Sequence, residues 1–349
     1  MSRVVPAQTP IEVHIPETTK VHASVEGTGA SANPSVTTPL PSSAVSSYIQ
    51  TTKPGITKLV TITATVGLGM AVATRWVAGE HLWTLGSFAF LALGVILGTA
   101  LSASGANALN QWAERERDAR MHRTANRPLP TGALTPPSVL VAGVLLSLAG
   151  LVLLWITCGL AAMTVSAACV LVYVLVYTPL KATTWTATFV GAIPGALPPL
   201  IGWSAAYREV GFQSLLDPGA ISLFVLMFVW QLPHFFAIAW MYKDDYARGG
   251  FAILPVIDRT GARTSIVIAA CTILLIPATI GPVVAMPQVL GVASLFAAAL
   301  SGIAFAVLVG RLLRSRTRAH ARAVFFASII HLPILLVVMV LDAFVHTVL

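Results

Sequence analysis

Asn110, Glu114 and Asp118 recur at intervals of four residues, and Asn107 precedes them by three. On a helix turning about 100° per residue, all four fall on one face. An amide and two carboxylates there make a hard oxygen site. Mg²⁺ suits such a site because it keeps several waters and bridges to phosphate. Arg120, Arg123, Asn126 and Arg127 follow directly. They are donors of the kind that grip phosphate oxygens. A solvated helix end with i,i+4 ion pairs would use the same residue types, so this segment alone leaves both readings open.

A second polar cluster begins at His234, deep in an apolar run, and continues with Lys243, Asp244, Asp245 and Tyr246. Ionisable groups at membrane depth are costly and usually face a cavity or a pathway. On one continuous helix Asp245 would lie three turns beyond His234, roughly 16 Å along the axis. The two cannot share a metal ion. They suit the polar floor and charged rim of one pocket. A hydrogen-bonded bundle histidine, and a helix-end pairing of Asp244 and Asp245 with Lys243 and Arg248, remain open as alternatives. Two carboxylate clusters and Lys181 on one membrane face would fit a polyanionic headgroup with a lipidic tail.

The elements that must position these residues are membrane spans. Only 10% of the 349 residues are charged and 56% are hydrophobic. An ordinary soluble domain carries about 25% charge. Nine apolar stretches reach spanning length: 56–76, 83–105, 138–157, 160–178, 184–206, 220–241, 265–285, 288–309 and 323–345. The expected fold is an all-α membrane protein, with nine transmembrane helices bundled around a central cavity. Pro194, Pro198 and Pro199 predict a kink or break in the fifth span. With nine spans, all of the 21 Lys and Arg residues except Arg75 and Arg208 fall on one side. That asymmetry fits positive-inside orientation, with the N-terminus inside and the C-terminus outside.

Residues 1–45, rich in Ser, Thr, Pro and Val, read as a disordered tail before a membrane domain over 46–349. The tail lacks the apolar core of a secretory signal, and Glu12, Glu17 and Glu26 argue against a mitochondrial transit peptide. Cys158, Cys169 and Cys271 all sit in apolar runs. They have neither disulfide nor zinc spacing and read as small buried hydrophobes.

From about residue 45 to the end, the chain resembles the UbiA superfamily of intramembrane prenyltransferases. The superfamily's first motif, an Asn and two Asp at intervals of four, is matched by Asn110, Glu114 and Asp118, with Glu at the middle place. The run from Arg123 to Gly132 resembles the family's Arg- and Pro-containing loop, and Lys53 to Thr57 its entry to the first span. Tyr177 to Lys181 and Gly195 to Trp203 resemble segments around its fifth span. Ala182 and Ala187 stand where members often carry Arg and Asn. Trp230 to Phe235, with Asp244, Asp245 and Tyr246, resembles the second polar loop of the haem-modifying branch. The quinone branch usually has Asp in place of His234.

The resemblance implies an enzyme that moves a farnesyl group from farnesyl diphosphate to a vinyl group of haem B. Water adds as well, giving haem O and diphosphate on the route to haem A and cytochrome oxidase. It implies Mg²⁺ on Asn110, Glu114 and Asp118, with Asp245 as ligand of a second ion, and a catalytic role for Lys181. Arg123, Asn126, Arg127, His234, Asp244 and Asp245 would contact the substrates. A downstream haem A synthase is an implied partner; nucleic acid is not. The implied location is a bacterial plasma membrane, with cytoplasmic active-site loops, rather than a mitochondrial inner membrane. Two rivals remain: prenylation of a quinone or aromatic precursor, and a transporter with carboxylates along its path. Transport predicts charges at mid-membrane depth, where only Asp342 lies well inside a span away from the clustered face.

Overall fold

A computed structural model describes residues 43–348. The first 42 residues of the expected tail lie outside the described part. Helix α1 (Ala44–Thr51) starts two residues before the expected domain boundary. The next helices are α2 (Pro54–Val77), α3 (Leu85–Asp118) and α4 (Pro136–Cys158). Helix α5 (Leu160–Leu180) carries a π-helical turn over Val172–Tyr177. The following span divides into α6 (Ala187–Ala196) and α7 (Pro198–Ala206). Then come α8 (Pro218–Met241), a short α9 (Lys243–Arg248), α10 (Ala262–Ala285), α11 (Val292–Ser315) and α12 (Arg318–Val348). Nine spans of membrane-crossing length and apolarity result among the described residues, with α6 and α7 forming one of them. The chain is an integral membrane protein.

Packing arranges six spans as a closed ring. Helix α2 packs on α3, α3 on α5, α5 on α6, α6 on α8, α8 on α12, and α12 on α2 again. Helix α4 lies outside the ring against α3, while α10 and α11 cover α8 and α12 from outside. Helix α7 packs along α2.

Three local features set the site. First, α3 is 34 residues long, or roughly 50 Å at 1.5 Å per residue. A hydrocarbon core is about 30 Å thick, so the last turns of α3 project to the surface. The span expected to end at 105 therefore continues through Asp118. Second, the proline break occurs at Leu197, as expected. Pro198 has no N–H to offer the Pro194 carbonyl four residues back. The Cys169 thiol donates to that carbonyl instead, at 3.0 Å, and the Gln231 amide donates to Ala192 O at 2.8 Å. Side chains from α5 and α8 thus re-satisfy backbone that a bilayer could not.

Third, the expected continuous helix from His234 to Asp245 does not exist. Helix α8 stops at Met241, Tyr242 takes a non-helical ψ of 23°, and α9 starts anew at Lys243. A count of three turns does not place Asp245. Span ends also shift: α11 runs over 292–315 rather than 288–309, and α12 starts at 318 rather than 323.

Candidate active site

The stripe on α3 is real and buried: Asn110, Glu114 and Asp118 are 1%, 5% and 1% exposed. Asn107 is not part of it in function. Its amide donates to Thr52 O and Thr57 Oγ1, each at 3.2 Å, and so pins the α1–α2 junction to α3.

Each remaining member has its own cation. Lys53 Nζ donates to Asn110 Oδ1 at 2.6 Å. Lys181 Nζ lies 2.6 Å from Glu114 Oε1. Arg127 Nη1 donates to Asp118 Oδ2 at 2.6 Å. Thr178 Oγ1 donates to Tyr173 O at 2.7 Å and accepts from Asn110 Nδ2 at 3.0 Å. This orients the Asn110 oxygen toward Lys53. The π-helical turn stacks Tyr173 on Tyr177, and brings the Tyr173 hydroxyl within 3.5 Å of Lys53 Nζ.

Two firmly charged cations, Lys181 and Arg127, and the lysine Lys53 face two carboxylates, an arrangement that suits an anion. Burial, helped by the nearby Arg127 charge, brings the Lys53 ammonium down to about 7. Burial pushes Lys181 the same way, but the Glu114 carboxylate outweighs it, and its pKa stands above the ordinary lysine value. Lys53 adopts a left-handed backbone (φ 48°) immediately before Pro54. Such a conformation is costly for a residue with a side chain and concentrates at functional sites.

A divalent cation fits this donor set. Asp118 Oδ1 is buried with no hydrogen-bond partner, and an orphaned carboxylate oxygen is expensive unless something binds it. The available donors are hard oxygens, which suits Mg²⁺. Among the described residues no three His, Cys, Asp or Glu side chains lie close enough together to share one metal ion. Asp245 therefore does not join Glu114 and Asp118. Its Oδ1 accepts from Arg248 and from the His122 backbone N–H. Burial pushes the Asp245 carboxyl up, but the Arg248 and His122 hydrogen bonds outweigh it and hold the pKa below the usual aspartate value.

Asp245 instead ties the two polar loops together. Arg117 donates to Gly249 O and Gly250 O, and Arg123 lies over the rings of Tyr242 and Tyr246. Phe251 packs under Lys181 Nζ at 4.5 Å. The loop after α8 thus walls the α3 stripe. Asn126 and Asp244 are exposed, and the structure does not bring either into the cluster. His234 stands apart from the stripe on α8. Its Nδ1 is 2.8 Å from Ser328 Oγ of α12, and its ring lies between Trp230 and Phe325.

A model of the UbiA prenyltransferase family matches residues 59–330. The chain belongs to this family. It is 42% identical over 301 residues to a protoheme IX farnesyltransferase of Solibacter usitatus (strain Ellin6076), covering 84% of this chain and 98% of the relative. A protoheme IX farnesyltransferase of Koribacter versatilis (strain Ellin345) is 37% identical over 307 residues, covering 84% and 92%. The UbiA fold is seen directly in solved structures. A UbiA homologue from Aeropyrum pernix K1 superposes with a TM-score of 0.60 at 16% identity, covering 82% of this chain and 98% of that one. A homologue from Archaeoglobus fulgidus bound to DMAPP and Mg²⁺ gives a TM-score of 0.56 at 13% identity, covering 84% and 99%. As a UbiA family member, the chain is a prenyltransferase enzyme.

Sequence spacing missed Lys53, Tyr173 and Thr178. Lys53 was visible as one more inside charge before a span and as the start of the family-like entry segment, with no chemical role attached to it. The signal that could have singled it out is its place directly before Pro54, at a helix start.

Proposed function

We propose that this protein transfers the farnesyl group of farnesyl diphosphate to a vinyl group of haem B, with addition of water, releasing haem O and diphosphate. The observation that carries the diphosphate half is the buried Asn110–Glu114–Asp118 stripe, ringed by Lys53, Lys181 and Arg127. The haem half is supported by the likeness to protoheme IX farnesyltransferases and by His234 within the bundle.

Asn110, Glu114 and Asp118 would hold Mg²⁺, which when bound neutralises charge on the leaving diphosphate. Lys181 and Arg127 exchange part of their carboxylate contact, and Lys53 its contact with the Asn110 amide oxygen, for phosphate oxygens as the substrate arrives. Arg123, at the mouth, adds a planar donor. Asp245 serves as the strut between the loops. Asn126 and Asp244 stand at the rim.

As the allylic C–O bond breaks, its electron pair leaves with diphosphate, and these cations stabilise the charge that develops. Apolar walls keep water from the allylic cation. The terminal vinyl carbon attacks that cation and forms the new C–C bond. Water captures the carbocation left beside the porphyrin and loses a proton, which completes the hydroxyl.

The membrane would be a bacterial plasma membrane with the site on its cytoplasmic face, and a haem A synthase would consume the product. The test is direct: purified protein in lipid nanodiscs receives haem B, farnesyl diphosphate and Mg²⁺, and products are weighed by mass spectrometry. Haem O should appear and vanish on chelation with EDTA. Intact haem B with prenylation of an added quinone precursor would overturn the proposal.

A further inference from the structure

We infer that His234 ligates the iron of the haem substrate through Nε2, and that Ser328 holds the imidazole in the tautomer that leaves this nitrogen free. The inference rests on the haem reading above and adds the atom that grips the porphyrin.

Helix α8 shows which way His234 faces. Trp230 points to α12, with its indole N–H donating to Ser328 O at 2.9 Å. Gln231 points to α6, donating to Ala192 O at 2.8 Å. Leu232 packs with Cys271 of α10 and with Ala192 of α6, turned away from α12. At about 100° per residue, positions 234 and 238 fall between the directions of 230 and 231. Since α6 and α12 are the ring neighbours of α8 and α10 lies outside, this face looks into the ring. His234 and Ile238 are both partly exposed there, while Trp230, Gln231 and Ala237 are buried.

The tautomer follows from counting protons. A serine hydroxyl has one proton to give. Ser328 Oγ donates to Phe325 O at 2.6 Å, the usual back-bond of a helical serine. It can then only accept from His234, so Nδ1 carries the ring proton at 2.8 Å. Nε2 is left with its lone pair and has no hydrogen bond to any described residue. A neutral imidazole with one nitrogen anchored and the other open is what a metal ligand requires.

The ring cannot swing away. Trp230 stacks on it at 5.4 Å between centroids, and Phe325 packs at 5.0 Å. These aromatic walls also suit a flat porphyrin beside the imidazole. His331, also within the membrane, does not compete. Both its ring nitrogens are buried and it lies against Phe305 of α11, outside the ring.

The experiment uses full-length protein in nanodiscs, titrated with haem B and followed by absorption and resonance Raman spectroscopy. The ferrous wild-type complex should show an iron–histidine stretching band; its absence overturns the inference without recourse to any variant. His234→Ala should lose the band, and added imidazole should restore a nitrogen-ligated spectrum. Ser328→Ala should weaken haem binding about 10-fold while keeping the band, and Ser328→Thr should recover the affinity. An unchanged haem spectrum and affinity in His234→Ala overturns the assignment. Haem O formation is scored separately. Wild-type turnover without an iron–histidine band sinks the ligand and leaves the reaction standing. The band without any farnesylated product supports the ligand and sinks the reaction.

Discussion

Asp118 spends one carboxylate oxygen on Arg127 and keeps the other buried without a partner. That asymmetry makes Asp118 the most diagnostic position in the stripe. Asp118→Ala should abolish turnover, a loss of at least about 10³-fold if a bound cation stabilises the leaving charge, while the protein still inserts and elutes as a folded species. Full activity in that variant would remove the metal from the site. Glu114 and Lys181 pose a different test, because both side chains are nearly buried, at 6% and 13% exposure. Removing one partner of such a pair strands the other and costs about 3 kcal/mol or more. Lys181→Gln should therefore melt early in EDTA. It should also gain more from Mg²⁺ than the wild type does, since the ion replaces the lost charge; equal Mg²⁺ shifts in a melting assay would count against Glu114 as a ligand. At this scale the carboxylates were legible because helical spacing is a property of the chain. Asn107 shares their face yet serves the α1–α2 junction, and Lys53 arrives from 57 residues away. Both facts depend on what packs opposite α3, which no local spacing contains.

The helices themselves were largely legible, since apolar length announces a span and the prolines announced the break at Leu197. What the chain pattern hid was how far α3 outruns the apolar stretch, and the halt of α8 at Met241 before α9. Polar residues carry both, and a hydropathy profile treats polar residues as loop whether or not they stay helical. Contact between α2 and α7 was equally hidden. A Cβ placed on Gly202 would meet the backbone of Ala64 and Leu68, and one on Gly67 the backbone of Pro199. Helices associate in lipid by close backbone approach at such small residues. Gly202→Ala must push α7 off α2, at about 1–3 kcal/mol of overpacking. Helix α7 continues directly from the Leu197 break that Gln231 and Cys169 stabilise. The expected outcome is a lower melting temperature together with lost activity. Gly69→Ala on the same helix α2 meets nothing within 4 Å and should leave both unchanged. A tolerant Gly202 would mean that α2 and α7 can separate without consequence.

Among the described residues, one end of the bundle carries the candidate site and nearly all the free positive charge. The two basic residues on the other face are held rather than free. Arg75 is buried among Glu80, Glu209 and the Ala206 carbonyl, between the rings of Trp83 and Tyr207, and Arg208 reaches the Thr157 carbonyl. Neither therefore opposes the positive-inside bias that sets orientation. With nine spans among the described residues, the proposed orientation would put α1 and the α3 stripe on the inner face and the end of α12 outside. In that orientation farnesyl diphosphate would be drawn from the inner side, with its tail between apolar spans. Cysteine scanning tests this orientation, because the three native thiols lie within spans. Asp244→Cys and Gln213→Cys place new thiols at exposed positions of opposite loops. An impermeant maleimide added to intact cells should label position 213 and spare 244; inside-out vesicles should reverse the pattern. Labelling of 244 from outside would invert the molecule, and would put the diphosphate site on the face where no cytosolic prenyl diphosphate can reach it.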